Sequence, residues 1–156
     1  MGVEIERKFL VKKSLWERFE KPMGAYYRQG YLLTDPNKTI RVRATDNAGY
    51  ITIKGKTVGA TRPEFEYAIP KEEAVALLDA FTVNNIEKTR FTIPYKEKVW
   101  EVDVFHGQNI GLIVAEIELE SEEEPFICPD WIDTEVTDDA RYYNSNLSNV
   151  PFLHWT

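Results

Sequence analysis

The chain has 156 residues, a formal net charge of −7, 43% hydrophobic and 29% charged residues, the profile of one ordinary globular domain with room for a core. No apolar run approaches the roughly 18 residues of a membrane span, no basic-then-apolar secretory leader opens the chain, and Glu6 stands where a myristoylation signal wants Ser or Thr. The single cysteine, Cys128, excludes an internal disulfide and points to a reducing, cytoplasmic setting, while the acidic balance argues against a broad nucleic-acid surface.

Most of the chain alternates polar and apolar residues with period two between turn signals. Eight strands are predicted, over 3–11, 26–33, 38–45, 49–54, 62–69, 86–93, 98–105 and 112–120. Asp35-Pro36-Asn37, Asp46-Asn47-Ala48-Gly49 and His106-Gly107-Gln108-Asn109 supply turn chemistry between them. Three helices are predicted. Ser14 is placed to N-cap one over Leu15–Phe19. Pro70 opens one over 71–81, with an apolar face at 74, 77, 78 and 81. Thr137 is placed to cap a last one over Asp138–Leu147. The acidic run from Glu118 to Glu124 reads as a strand end followed by a solvated loop. Many strands, few helices and short links indicate an antiparallel sheet, either a sandwich or a closed barrel, and eight strands suffice for a small barrel.

Alternation places i and i+2 on one face. Glu4, Glu6 and Lys8 share a face of the first strand, Arg41 and Arg43 of the third, Thr52 and Lys54 of the fourth, and Glu64 and Glu66 of the fifth. Lys88/Arg90, Glu101/Asp103 and Glu116/Glu118 follow on the last three. A charged face opposite an apolar one is what any half-solvated antiparallel strand shows. Like charges two residues apart, however, lie only about 6.6 Å apart and repel unless neutralised. Acid pairs and base pairs also fall on separate strands, which suits a site for hard cations and phosphate together. Periodicity leaves open whether these charges face a lumen or bulk water.

Nine segments in order resemble the CYTH domain, or triphosphate tunnel metalloenzyme, family. Glu4-Ile5-Glu6-Arg7-Lys8-Phe9 resembles its E-x-E-x-K opening, and Tyr27-Arg28-Gln29-Gly30-Tyr31-Leu32 its second strand. Arg41-Val42-Arg43, Thr52-Ile53-Lys54 and Arg62-Pro63-Glu64-Phe65-Glu66-Tyr67 resemble the R-x-R, T-x-K and R-x-E-x-E strands. Lys88-Thr89-Arg90-Phe91, Trp100 to Phe105 and Ala115 to Leu119 follow, then Glu135-Val136-Thr137 with Arg141 to Asn144.

The resemblance implies an eight-stranded antiparallel closed barrel forming a tunnel, charged faces inward, helices packed outside. It implies a metal-dependent hydrolase of triphosphates using Mg²⁺ or Mn²⁺. Inorganic triphosphate is the favoured small substrate, because the chain is short and carries no added domain. A class IV-type adenylate cyclase, a thiamine triphosphatase and a non-enzymatic triphosphate- or polyphosphate-binding module are the alternatives. The implied catalytic residues are Glu4, Glu6, Lys8 and Lys88. Phosphate falls to Lys8, Arg41, Arg43, Lys54, Arg62, Lys88 and Arg90, and metal to Glu4, Glu6, Glu64, Glu66, Asp103, Glu116 and Glu118. Metal on Glu4, Glu6, Glu116 and Glu118 would bridge the phosphates. A water activated by a second metal or by Glu4 or Glu6 would attack in line while the bases stabilise the spreading charge.

Other features carry less. Gly49 to Thr57 has the wrong spacing and setting for a phosphate loop. His106 and His154 are too far apart in sequence for a zinc pair, and Cys128 reads as a buried or inert thiol. Tyr142 and Tyr143 read as core aromatics of the last helix. Asp133 stands where a small residue is expected in the tail, which leaves Glu135 doubtful as a site residue. Arg28 has no assigned role.

Overall fold

In the computed structural model, which describes residues 2–155, all eight predicted strands form. They are β1 (Gly2–Val11), β2 (Ala25–Asp35), β3 (Lys38–Ala44), β4 (Gly49–Gly55), β5 (Thr61–Ile69), β6 (Ile86–Tyr95), β7 (Lys98–Phe105) and β8 (Ile113–Glu118). Neighbours pair antiparallel in the order β5-β4-β3-β2-β6-β7-β8-β1. Pairing of residues 2–5 of β1 with 61–64 of β5 then closes the sheet into a barrel. Further along β1 that edge is taken by an unpredicted β9 (Ile132–Glu135), with Phe9 opposite Glu135 and Val11 opposite Ile132. The added strand covers backbone left unpaired where β5 stops following β1.

Helix α1 (Lys13–Arg18) begins earlier than predicted: Lys12 holds the N-cap and Ser14 lies inside the helix without a capping role. Helix α2 (Lys71–Phe81) follows Pro70 as predicted. The segment expected as one helix over 138–147 is instead a 3-10 turn at Ala140–Tyr142 and a short α3 (Asn144–Asn149). The Asp139 side chain accepts from Arg141 N, a local turn bond that competes with helix. Thr137 caps nothing: its hydroxyl accepts from Lys8 N at 3.0 Å and donates to Glu135 Oε2 at 2.6 Å, fastening the tail to β1.

Outside the barrel, Trp16 of α1 with Trp131 and Ile132 packs in one cluster with Phe9, Trp100, Val102 and Ile117. Ala74 and Leu78 of α2 cover Val42 and Ala44. The cover is incomplete, since Ile53, Phe65 and Tyr67 stay exposed on β4 and β5; the helices do not shelter every outward apolar face. Inside, the inward parity changes character along the strands. Glu6 and Lys8 give way to Leu10, Arg90 and Lys88 to Ile86, Asp103 to Phe105, and Glu116 to Val114. Those four apolar residues pack with Leu112 and with Leu147 of α3. One end of the interior is therefore an apolar core, and the charged residues line the other.

The β6–β7 hairpin turns on Lys96-Glu97, with φ of 48° and 65°. Side chains resist this left-handed backbone, which Asn-Gly adopts readily. Replacing Lys96-Glu97 by Asn-Gly is expected to raise stability by about 1 kcal/mol, read as a higher urea midpoint at unchanged slope.

Candidate active site

The charged end of the barrel holds a cavity of about 240 Å³. Organic ligands favour mostly apolar pockets of about 300–1,000 Å³, so a small, charge-lined cavity fits a compact polyanion better. Every predicted site residue lines it except Lys88 and Asp103. Strand order arranges the charges. β1 lies between β8 and β5, while across the ring β2 lies between β3 and β6. An acidic arc from Glu4, Glu6, Glu64, Glu116 and Glu118 thus faces a basic arc from Arg41, Arg43, Lys88 and Arg90.

Two ammonium groups serve the acidic arc. Lys54 Nζ donates to both oxygens of Glu4, at 3.0 and 2.9 Å, and stands 3.5 Å from Glu64. Lys8 Nζ donates to Glu116 Oε2 at 2.6 Å and lies 3.7 Å from Glu6. Against the cost of burial, Lys8 and then Arg90 hold Glu116 down at about 2, and Lys54 holds Glu4 below its ordinary value. The remaining acids are left in surplus. Burial, then Glu116 and Glu4, push the Glu6 carboxyl up to about 8. Burial and Glu4 likewise raise Glu64 and Glu118.

Donors in the basic arc are partly idle. Arg41 Nη2 donates to Thr52 Oγ1 at 3.1 Å and sits 3.5 Å from the rim carboxylate of Glu66. On neighbouring β5, Arg62 Nη2 donates to Thr39 Oγ1 at 3.3 Å. The Nε atoms of Arg41 and Arg62 are buried without a hydrogen-bond partner, a state that a bidentate anion would relieve.

Lys88 and Asp103 lie behind the cavity wall, 0% and 2% exposed. Asp103 accepts from Arg90 Nε at 2.7 Å, Arg90 Nη2 at 2.8 Å and Lys88 Nζ at 2.7 Å. Burial opposes its charge, but Arg90 and Lys88 hold it far below the usual carboxylate range. With both oxygens committed, Asp103 anchors two cations where a metal ligand was anticipated. Burial, then repulsion from Arg90 and Arg43, pushes Lys88 down to about 7 despite Asp103.

Several lining residues had no role assigned from the sequence. Glu101 stands 3.3 Å from Arg90, and Tyr31, Thr39, Asn144 and Ser145 are neutral lining groups. Tyr143 also lines the cavity, its ring 5.9 Å from Lys8 Nζ, because its segment is not the helix that was expected. Tyr142 does pack as a core aromatic, against Trp155. Glu135 lies outside, paired with Arg7, and Asp133 is exposed. Arg28 now has a role: it ties β2 to Asn85 and to Asp79 of α2. Cys128 is exposed, where burial was one expectation, and its thiol is pushed up by partial burial.

A match to the CYTH domain covers residues 2–150. The chain belongs to the CYTH family. Two relatives are similar to this CYTH protein nearly end to end. One is an inorganic triphosphatase of Acetivibrio thermocellus, 46% identical over 99% of each chain. The other is an inorganic triphosphatase of Nitrosomonas europaea, 35% identical over 93% of this chain and 96% of its own. A crystal structure of an inorganic triphosphatase shares the fold with a TM-score of 0.64 and 34% identity, covering 93% of each chain. A putative adenylate cyclase from Bacillus halodurans has a TM-score of 0.65 at 21% identity, over 79% of this chain and 84% of its own, and shares the barrel alone. Among the described residues, no helix is long and apolar enough to cross a membrane.

Proposed function

We propose that this CYTH protein is an inorganic triphosphatase that cleaves a phosphoanhydride bond of a small triphosphate in its charged cavity. The observation that carries this reading is the opposition of a surplus-acid arc and a donor-rich basic arc in one small cavity. Among the described residues, no three Asp, Glu, His or Cys side chains already converge as a ligand set. The acidic arc nevertheless offers hard oxygen donors whose mutual repulsion a divalent cation would relieve, which suits Mg²⁺ or Mn²⁺. Glu4, Glu6, Glu64, Glu116 and Glu118, with Glu66 at the rim, are the residues to hold it. When bound, the metal supplies charge neutralisation at the phosphates and a more acidic water.

The chain's own residues do the rest. Arg41, Arg43, Arg62 and Arg90 bind phosphate oxygens and stabilise charge spreading onto the transferred group. Lys8 and Lys54 sit among the acids and hold the anion's other edge. Glu4 has both oxygens tied to Lys54, whereas among the described residues Glu6 has only the 3.7 Å contact with Lys8. Glu6 is therefore the freer carboxylate to take a proton from the attacking water. Lys88 acts from behind the wall, sharing Asp103 with Arg90. The single cysteine and the net charge of −7 support a reducing, cytoplasmic setting without a nucleic-acid partner, and the lack of a long apolar run supports one without a membrane partner.

Incubation with inorganic triphosphate, ATP, thiamine triphosphate and pyrophosphate, each with and without Mg²⁺ or Mn²⁺, tests this reading. Orthophosphate and pyrophosphate should form from inorganic triphosphate, faster than products form from ATP. Cyclic AMP from ATP would move the chain to the cyclases, and metal-dependent binding without turnover would make it a binding module.

A further inference from the structure

β2 lies at the centre of the basic arc, yet its inward residues Tyr27, Gln29 and Tyr31 carry no charge. Register sets Gln29 beside Arg43 and Tyr27 beside Lys88. Arg41 has Glu66 as its counter-ion, and Arg90 has Asp103, Glu101 and Glu116. Among the described residues, Arg43 has no carboxylate at ion-pair distance. Its partner is an amide: Arg43 Nε donates to Gln29 Oε1 at 3.0 Å, and both residues are buried. An Nε–H needs an acceptor, so the amide oxygen turns toward it and Gln29 Nε2 is left buried and unbonded. The Tyr27 ring lies 4.7 Å from the Arg43 guanidinium and 5.3 Å from that of Arg90. Its π face attracts both cations without cancelling their charge. Burial, then Arg41 and Arg90, pushes Arg43 down to about 9, the mark of a buried cation lacking a counter-ion.

A carboxylate at position 29 would neutralise Arg43, and an aliphatic side chain would leave Nε buried and unsatisfied. The amide does neither. We propose that Tyr27 and Gln29 are positioning residues for phosphate recognition, an uncharged bracket that aims the Arg43 guanidinium into the cavity and reserves its charge for the anion. This rests on reading the cavity as a triphosphate site. The bound phosphoryl group then supplies the counter-charge that the protein withholds.

Four variants test it: Gln29→Glu, Gln29→Leu, Tyr27→Leu and Tyr27→Phe. For each, kcat and KM are measured on inorganic triphosphate with Mg²⁺, Kd by calorimetry on inorganic triphosphate with EDTA, and Tm by thermal melting. Gln29→Glu should raise KM and Kd about tenfold or more, more than it lowers kcat, with Tm at or above wild type. Gln29→Leu and Tyr27→Leu should raise KM as well, and Tyr27→Phe, which keeps the ring, should restore it. Unchanged KM and Kd in Gln29→Glu and Tyr27→Leu would overturn the proposal, as would a fall in kcat and Tm with KM untouched, the pattern of a merely structural role. Binding of triphosphate by a wild-type protein that never hydrolyses it would instead sink the triphosphatase reading, and the Kd comparison would still judge the bracket.

Discussion

Glu6→Gln should abolish turnover and, without metal, make the protein more stable. Glu6 lies on the cavity wall with its side chain 21% exposed, and Lys8, 3.7 Å away, is already taken by Glu116. Its charge is opposed by burial and by Glu116 and Glu4, which raise its carboxyl from an ordinary 4.5 to about 8. A folded protein that binds a proton there more tightly than the unfolded chain loses stability as pH rises from about 4.5 toward 8. Gln is nearly isosteric and carries no charge, so that pH slope should flatten. The metal-free Tm at pH 8 should rise by about 2–4 °C. Activity should fall by about 10²–10⁴-fold, because the carboxylate that takes the proton of the attacking water is gone. A metal-free variant no more stable than wild type would show that the acidic arc carries no surplus charge.

Asp103→Ala should be the most damaging single change in the barrel. Asp103 is 2% exposed and accepts three charge-assisted hydrogen bonds from Arg90 and Lys88. Removing it strands two buried cations facing Arg43, a loss of about 3–5 kcal/mol. Urea unfolding at pH 7 reads this directly. Arg90 then has only Glu101 and Glu116, at 3.3 and 3.5 Å, to hold it, so activity should also be lost and should not return with excess metal. Because the folded-state carboxyl sits far below its ordinary value, this stabilisation is complete above about pH 4 and lost in acid. The wild-type and Asp103→Ala proteins should therefore still differ clearly in stability at pH 3, where the folded-state carboxyl remains ionised, and converge only in stronger acid. A loss below 1 kcal/mol at pH 7 would mean that the pairs do not hold the wall together.

The two substitutions also separate what was legible in the sequence from what was not. The period-two pattern gave the eight ring strands and the residues sharing each inward face, because alternation is a local property. Closure is not local, and it was the family resemblance that turned the charged faces inward. β9 escaped notice because its four residues, Ile132–Glu135, are too few to show a period; it exists to cover the edge of β1. Thr137 looked like a helix cap, since nothing local reveals that Lys8 N would claim its hydroxyl. The resemblance grouped Asp103 with the metal ligands, and parity puts it on the charged face with them. Depth along the strand, which parity does not encode, puts it between two cations behind the wall. Tyr27 and Gln29 were missed for a simpler reason: a search for charge passes over the neutral residues that hold charges apart.

Release of orthophosphate from inorganic triphosphate, followed for wild type and Glu6→Gln side by side with Mg²⁺ or Mn²⁺ and again after EDTA, tests the central claim most directly. The predicted result is rapid metal-dependent release by the wild type, stopped by EDTA, and almost none by a folded Glu6→Gln protein. Equal release by both proteins, or release by the wild type that survives EDTA, would contradict it.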